Sequence, residues 1–307
     1  MEGETVMNTD YGIFTQNLTK DYQGKSAISN LNLAIPKGSI FGFLGRNGAG
    51  KTTTIKLLLN LVQPTSGQGT VLGYDIVQDT MDIRARVGYV SEESTIYPYL
   101  RVKEVVKFCR DTYVHWDQSI TNQYLDLFEL PQDKKVKELS KGMKNQLALV
   151  LALGARPELL ILDEPTSGLD PVKTRDFFNA ILEQVAETGQ TVFFSSHQLQ
   201  EVERVADTVG ILHQGRMVFQ KNLDELRTQM KRLRVVLPEG SQVEDLANWP
   251  GVTRVKQQGR GYLIHCDGQI EELQSRLMSL KPLDVEVLDV SLEDIFMEYT
   301  GGEQGGY

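Results

Sequence analysis

Cysteine is almost missing from this chain, with only Cys109 and Cys266 among 307 residues. Their separation suits neither a metal-binding pair nor a disulfide framework, so a reducing compartment is expected, with both thiols acting as small buried hydrophobes. A basic surplus is missing as well: 32 Lys and Arg stand against 41 Asp and Glu, a net charge of −9. Nucleic acid calls for a cationic face, so no nucleic-acid partner is expected. Long apolar runs are absent. The longest, Leu147 to Ala155, falls far short of the roughly 20 residues that a spanning helix needs. Any action at a membrane then requires another chain to do the spanning. Met1 to Asp10 is acidic and polar, without a basic start or an apolar stretch, so no secretory signal is expected. No internal repeat is visible.

What is present is ordinary globular composition, 40% hydrophobic and 24% charged, enough for one substantial domain and a smaller second one. Ile13 to Leu18 and Ala27 to Ile35 have strand character around a turn, Asp21-Tyr22-Gln23-Gly24. Ser39 to Leu44 is an apolar strand running into a glycine-rich loop. Thr52 to Val62 follows as a helix, with Ile55, Leu58, Leu59 and Val62 on one face. Thr95 to Leu153 is mostly helical in pattern. Its aromatics, Tyr97, Tyr99, Phe108, Tyr113 and Trp116, are expected in the core of that helical part. Leu159 to Leu162 and Thr191 to Ser195 suit buried parallel strands, Val172 to Glu187 and Gln198 to Ala206 helices, and Val209 to Phe219 a hairpin around Gln214-Gly215. Alternating strands and helices make an α/β domain with a mainly parallel sheet.

Patterning restarts after a charged helix near Lys221 to Lys231. Strand Leu233–Leu237, helix Val243–Asn248, strands Val252–Gln257 and Tyr262–Cys266, helix Ile270–Leu280, strand Val285–Val290 and helix Leu292–Tyr299 give the order βαββαβ of a ferredoxin-like domain. The expected division is a larger α/β domain over 11–220 with a helical subdomain at about 95–153, a linker helix over 221–231 and an accessory α+β domain over 232–300.

Gly45-Arg46-Asn47-Gly48-Ala49-Gly50-Lys51-Thr52 fits the phosphate-loop pattern G-x-x-x-x-G-K-[ST], between strand and helix as the pattern requires. Its glycines let successive backbone N–H groups turn inward on phosphate oxygens, and the helix N-terminus adds positive potential there. Lys51 would meet the β- and γ-phosphates, the Thr52 hydroxyl would ligate Mg²⁺, and Thr53 completes the cradle. Asp163 and Glu164 close the apolar strand that begins at Leu159. Asp163 would hold Mg²⁺ through its water shell, and Glu164 would polarise the attacking water. Taken alone, such an acidic pair suits a helix cap or solvated loop better.

Four further segments fall in a definite order: Gly88-Tyr89-Val90-Ser91-Glu92, Leu139-Ser140-Lys141-Gly142-Met143, Ser167-Gly168-Leu169-Asp170 and Ser195-Ser196-His197. Over about Ile13 to Gln220 the chain resembles the ATP-binding cassette (ABC) ATPases. That resemblance implies a P-loop cassette with an antiparallel β subdomain and a helical subdomain, and ATP and Mg²⁺ as cofactors. It implies that Ser140 and Gly142 reach the γ-phosphate held by a partner cassette across a head-to-tail dimer that Asp170 lines. It also implies that His197 touches the γ-phosphate and holds Glu164 in register, while Tyr22 stacks on adenine. Singly, Ser140 suits a helix N-cap, His197 a structural histidine and Tyr22 a turn aromatic.

Two positions depart from the family. Lys141 and Met143 stand in place of a glycine and the glutamine of L-S-G-G-Q, and Glu92 occupies the usual glutamine position that senses the metal. Both departures, with the ending Leu292-Glu293-Asp294-Ile295-Phe296, resemble the ATPases of ABC-2-type exporters, including those of antibiotic and peptide resistance. The implied assembly is two cassettes, one a second copy, on an integral membrane permease at the cytoplasmic face. The rival is a soluble ABC ATPase acting on nucleic acid or the ribosome, which the single cassette and acidic charge disfavour. A GTPase-like switch is disfavoured because no Asn-Lys-x-Asp guanine-reading segment occurs.

Overall fold

Two long strands, β1 (Tyr11–Tyr22) and β2 (Lys25–Pro36), open the computed structural model, which describes residues 10–93, 96–238 and 246–301. Gln23 and Gly24 join them, both left-handed (φ +48° and +83°), in the two-residue geometry that matches strand twist. The turn is therefore tighter than the four residues expected: Asp21 and Tyr22 belong to the strand, and Tyr22 pairs with Lys25.

β3 (Ile40–Leu44), buried along its whole length, leads into the phosphate loop and α1 (Lys51–Leu58). The expected continuation of this helix to Val62 does not form. Asn60 turns left-handed (φ +49°), and the N–H groups of Leu61 and Val62 fold back onto Lys56 O at 2.8 and 3.3 Å. The stretch that follows holds β4 (Ser66–Val71), β5 (Tyr74–Asp75) and α2 (Thr80–Arg86). β4 and β5 extend an antiparallel sheet of order β2-β1-β4-β5.

Beyond β6 (Val87–Val90) come α3 (Val102–Thr112), α4 (Gln118–Leu127) and α5 (Lys141–Gly154). Their core is Val102, Val105, Val106, Tyr124, Leu125, Leu149 and Val150. Of the aromatics expected there, Trp116 is half-buried against Gly154 of α5, but the other four lie toward the surface: Tyr99 is 75% exposed and Tyr97 59%, and Phe108 and Tyr113 are about half exposed. They pack on one another instead, Tyr97 edge-on to Phe108 at 5.6 Å and Tyr113 stacked on Trp116 at 6.3 Å. Slim valines fill the inward stripe of α3, which leaves broad rings at its margin.

β7 (Leu159–Asp163), α6 (Pro171–Thr188), β8 (Thr191–Ser196), α7 (Leu199–Val205), β9 (Thr208–His213) and β10 (Arg216–Asn222) complete this part. The second sheet has the order β10-β9-β3-β8-β7-β6, parallel from β9 to β6. Phe41 and Phe193 stack at 5.7 Å in its core, each such buried ring contributing about 1.5–3 kcal/mol. Register pairs Leu44 with Ser196 and Asp163 with Ser195, so the carboxyl ends of β3, β7 and β8 finish level. Ligands of open parallel sheets bind at that edge.

The chain divides after Gln220 into two units. In the second, α8 (Leu223–Gln229), capped by the Asn222 side chain, is shorter than the helix expected over 221–231, because Lys221 still belongs to β10 and Lys231 already to β11 (Met230–Val236). A 3₁₀ turn, Leu246–Asn248, stands at the end of the expected helix Val243–Asn248, whose first residues lie outside the described ones. β12 (Val252–Gln258), β13 (Gly261–Asp267), α9 (Ile270–Ser279), β14 (Asp284–Asp289) and α10 (Leu292–Thr300) follow. The sheet, antiparallel in the order β12-β13-β11-β14, has the ferredoxin-like arrangement. Leu233, Val235, Ile264 and Cys266 pack with Leu273 and Leu277 of α9. Arg232 reaches Asp294 at 2.9 Å and His265 reaches Glu298 at 2.8 Å, pinning α10.

Candidate nucleotide site

The phosphate loop turns sharply because its last glycine has a conformation that side chains rarely adopt and no room for a Cβ. Gly50 has φ +114°, and a Cβ there would stand 2.8 Å from Ala27 O and 2.6 Å from Ile28 Cδ1. It caps α1 without a side chain, which leaves the first-turn amides directed to solvent and to any anion arriving there. Gly215, in the β9–β10 turn, donates to Ala49 O at 2.9 Å, and its carbonyl accepts from Ser29 N at 2.8 Å. The loop is thereby tied to two neighbouring elements.

A cleft of about 720 Å³ opens over the loop. Arg46, Asn47, Gly48, Gly50, Lys51, Thr52 and Thr53 form its floor, and Tyr22, Lys25, Ser26 and Ala27 one wall, with Gln214 and Gly215 beside them. Glu92, Glu164 and His197 close the other side. Gly45 and Ala49 stand behind the floor: the Gly45 carbonyl accepts from Lys51 Nζ at 2.7 Å, and Ala49 is 7% exposed. Tyr22 is half exposed, with Lys20 Nζ 4.9 Å above its ring.

The charged centre is a chain of three side chains. Lys51 Nζ lies 3.0 Å from Glu164 Oε1, and Glu164 Oε2 lies 2.7 Å from His197 Nδ1. Lys51 and Glu164 are both buried. Among the described residues Glu164 Oε1 takes no well-aligned hydrogen bond and has the ammonium charge of Lys51 as its partner. Glu164 is also left-handed, φ +46°, an uncommon backbone for a side-chain-bearing residue that surrounding contacts must hold. Ser195 supplies part of that support, accepting from Glu164 N at 3.0 Å while donating to Asp163 Oδ1 at 2.7 Å. Asp163 is 1% exposed. Tyr89 senses both burial and that carboxylate: desolvation first, then the Asp163 charge, push its pKa up to about 12.

Three of the expected binding residues lie away from this cleft. Ser140 caps α5, accepting from Met143 N at 3.2 Å, and Asp170 caps α6, accepting from Val172 and Lys173 amides at 3.0 and 2.9 Å. Gly142 faces the Gly168 carbonyl, which an added Cβ would approach to 2.7 Å. Lys141 Nζ donates to Ser167 Oγ at 2.8 Å, and Asn145 Nδ2 to Ser167 O at 3.0 Å. The segments ending in Gly142 and beginning at Ser167 are thus one packed surface, outside the cleft that holds Lys51. Sequence reasoning did not find Ser195, Lys25, Ser26 or Gln214 as site residues; Ser195 stood inside a quoted segment where nothing distinguished its hydroxyl, and Gln214 was named only as part of a hairpin turn.

Fold and site together define a P-loop nucleoside triphosphatase with a strand-borne acidic pair. The family model described as "ABC transporter" matches residues 28–167. Over 289 residues the chain is 32% identical to the ABC transporter ATP-binding protein YtrB of Bacillus subtilis, spanning 94% of this chain and 98% of that protein. It is 35% identical over 303 residues to the bacitracin transport ATP-binding protein BcrA of Bacillus licheniformis, covering 94% and 97%. Among solved structures, an ATP-binding subunit of an ABC transporter superposes with a TM-score of 0.64 at 28% identity, over 70% of this chain and 91% of that one. The chain belongs to the ABC transporter ATP-binding proteins, and it binds and hydrolyses ATP as the ATPase subunit of such a transporter. Among the described residues no helix is long and apolar enough to cross a membrane.

Proposed function

We propose that this chain is the ATPase of an exporter, working as a head-to-tail pair of cassettes beneath a separate membrane permease at the cytoplasmic face. The carrying observation is the chain Lys51–Glu164–His197 at 3.0 and 2.7 Å on the wall of the cleft. A phosphate-binding cation, a carboxylate and an imidazole in direct contact suit removal of a terminal phosphoryl group by water. The export reading draws support from relatives named for bacitracin transport and linearmycin resistance.

In this reading Tyr22 stacks on adenine, and amides from Gly45 to Thr53 surround the phosphates. Lys51 leaves Glu164 for the β- and γ-phosphates. Glu164 accepts a proton from water as the water oxygen bonds to the γ-phosphorus and the bond to the β-phosphate oxygen breaks, giving ADP and phosphate. His197 holds Glu164 and the water in line. The donor set suits Mg²⁺: Thr52 and Glu92 line the cleft, and Asp163 stands at the strand end behind it. An oxygen set this sparse fits a hard cation that completes its shell with water and nucleotide phosphates. When bound there, that ion neutralises phosphate charge. Ser140, Gly142 and Asp170 serve the nucleotide held by the second cassette.

Gentle detergent extraction and native purification of the full chain test the assembly. Recovery with an integral membrane chain that raises its ATPase rate is the expected result. Recovery with polysomes, and none with membrane protein, would refute it.

A further inference from the structure

Beside the Glu164–His197 contact lies a carboxylate that the hydrolytic reading leaves unused. Glu201, on α7, is 7% exposed. Its partners are two buried hydroxyls: Thr166 Oγ1 donates to Oε1 at 2.6 Å, and Ser196 Oγ donates to Oε2 at 2.7 Å. Thr166 follows Glu164 by two residues, and Ser196 immediately precedes His197. One side chain therefore bridges the two segments that carry the reacting pair.

The hydrogens are committed to that bridge. Ser196 Oγ already accepts from Gln198 N at 2.9 Å, and a hydroxyl has a single proton to give. Its other acceptor, Gln198 O, is 3.4 Å away and competes weakly. Hydrogen bonds from hydroxyl to carboxylate are roughly twice as strong as neutral ones. A buried charge is nevertheless a costly way to hold two loops if packing is the only purpose. What distinguishes this place is the left-handed backbone at Glu164, which only converging constraints keep in place.

We propose that Glu201 is a positioning residue for ATP hydrolysis: it locks Thr166 to Ser196 and so fixes Glu164 against His197. The inference rests on the reading of Glu164 as the residue that activates water. Glu201 is not among the residues that line the cleft; it acts through the two hydroxyls.

The test uses the full-length chain, with Glu201→Gln, Thr166→Val, the double variant, and Glu164→Gln as reference. Turnover at saturating ATP, nucleotide affinity by titration calorimetry and melting temperature are measured for each. Misplacing a reacting group by an ångström costs up to about 10²-fold, so each single variant is expected to lose about tenfold in kcat. Nucleotide affinity should stay within roughly threefold of the parent, and the double variant should be no slower than the slower single, because both cut one link. Thr166→Val keeps the clamp testable if Glu201→Gln does not fold. The clamp is overturned by a kcat within about threefold of the parent in a folded single variant, by an equal loss of affinity, or by losses that multiply in the double. Glu164→Gln inactive with Glu201→Gln active removes the clamp alone. Glu164→Gln turning over at the parental rate removes the underlying reading and the clamp with it.

Discussion

Replacing Glu164 with Gln should separate binding from turnover in opposite directions. Lys51 Nζ is 3.0 Å from Glu164 Oε1, with the two side chains 6% and 11% exposed. Phosphate must therefore take the ammonium away from a buried carboxylate before the lysine can serve it. A hydrogen bond to a charged group is worth about 1.5–3 kcal/mol net. The lower end applies, because Oε1 receives no well-aligned hydrogen bond. Such a difference corresponds to roughly tenfold in affinity. Gln keeps the shape and the hydrogen bond from the imidazole side but offers Lys51 no charge, so ATP should bind up to about tenfold more tightly. Turnover should fall by about 10²-fold or more, the usual worth of a general base. Titration calorimetry with ATP in the cold, beside steady-state phosphate release, measures both on one preparation. Weaker or unchanged ATP affinity would show that Lys51 is not competed for. Turnover near the parental rate would remove Glu164 from the chemistry.

Glu92→Gln removes one negative charge from the cleft wall while keeping shape. It should raise the hydrolysis rate several-fold and alter its dependence on Mg²⁺ concentration; rates and Mg²⁺ titrations that overlay the parent would contradict the assigned role. Gly50→Ala must place a Cβ 2.8 Å from a backbone carbonyl in a left-handed conformation, at a cost of about 1–2 kcal/mol before any clash is relieved. Nucleotide binding should be lost along with a lowered melting temperature, and retained affinity would mean that the loop can rearrange. In the second unit, the hydrogen bond to His265 holds the Glu298 carboxyl below its ordinary range, against desolvation and with help from the His265, Arg254 and Arg232 charges. A lowered folded pKa stabilises above the unfolded value and ceases to do so as pH falls through the folded one. Glu298→Gln should therefore lower the melting temperature of this unit by a few degrees at neutral pH, with the gap closing below the ordinary glutamate range. A gap that persists in acid would refute the assignment.

Phosphate loop, acidic strand end and histidine are legible in the sequence because each lies within a few consecutive residues, flanked by strands whose apolar runs mark them. Contacts that span the chain are not. Ser195 meets Asp163 and Glu164 across about thirty residues only because β7 and β8 are parallel neighbours in a fixed register. No spacing rule foretells that Glu201 will face Thr166. The antiparallel strands β4 and β5 were silent for another reason: Ser66-Gly67-Gln68-Gly69 has no apolar alternation, and its pairing with β1 makes it a strand. Tyr97 and Tyr99 show a third limit, since aromatic content cannot distinguish a core from a surface.

Lys141 is the departure from the family whose meaning the contacts bear on most directly. As a cation next to Ser140 it offers charge to a phosphate in an opposing cassette, if such a cassette docks. Its ammonium instead donates to Ser167 Oγ at 2.8 Å, while Asn145 from the same helix donates to Ser167 O at 3.0 Å. With Gly142 against the Gly168 carbonyl, three residues from the first turns of α5, Lys141, Gly142 and Asn145, grip the loop that leads to Asp170. Lysine at this place thus braces the two surface segments that carry Ser140 and Asp170. The brace is a single exposed hydrogen bond, and such bonds yield readily to a better anion. In the proposed dimer, a nucleotide phosphate from the second cassette would be such an anion.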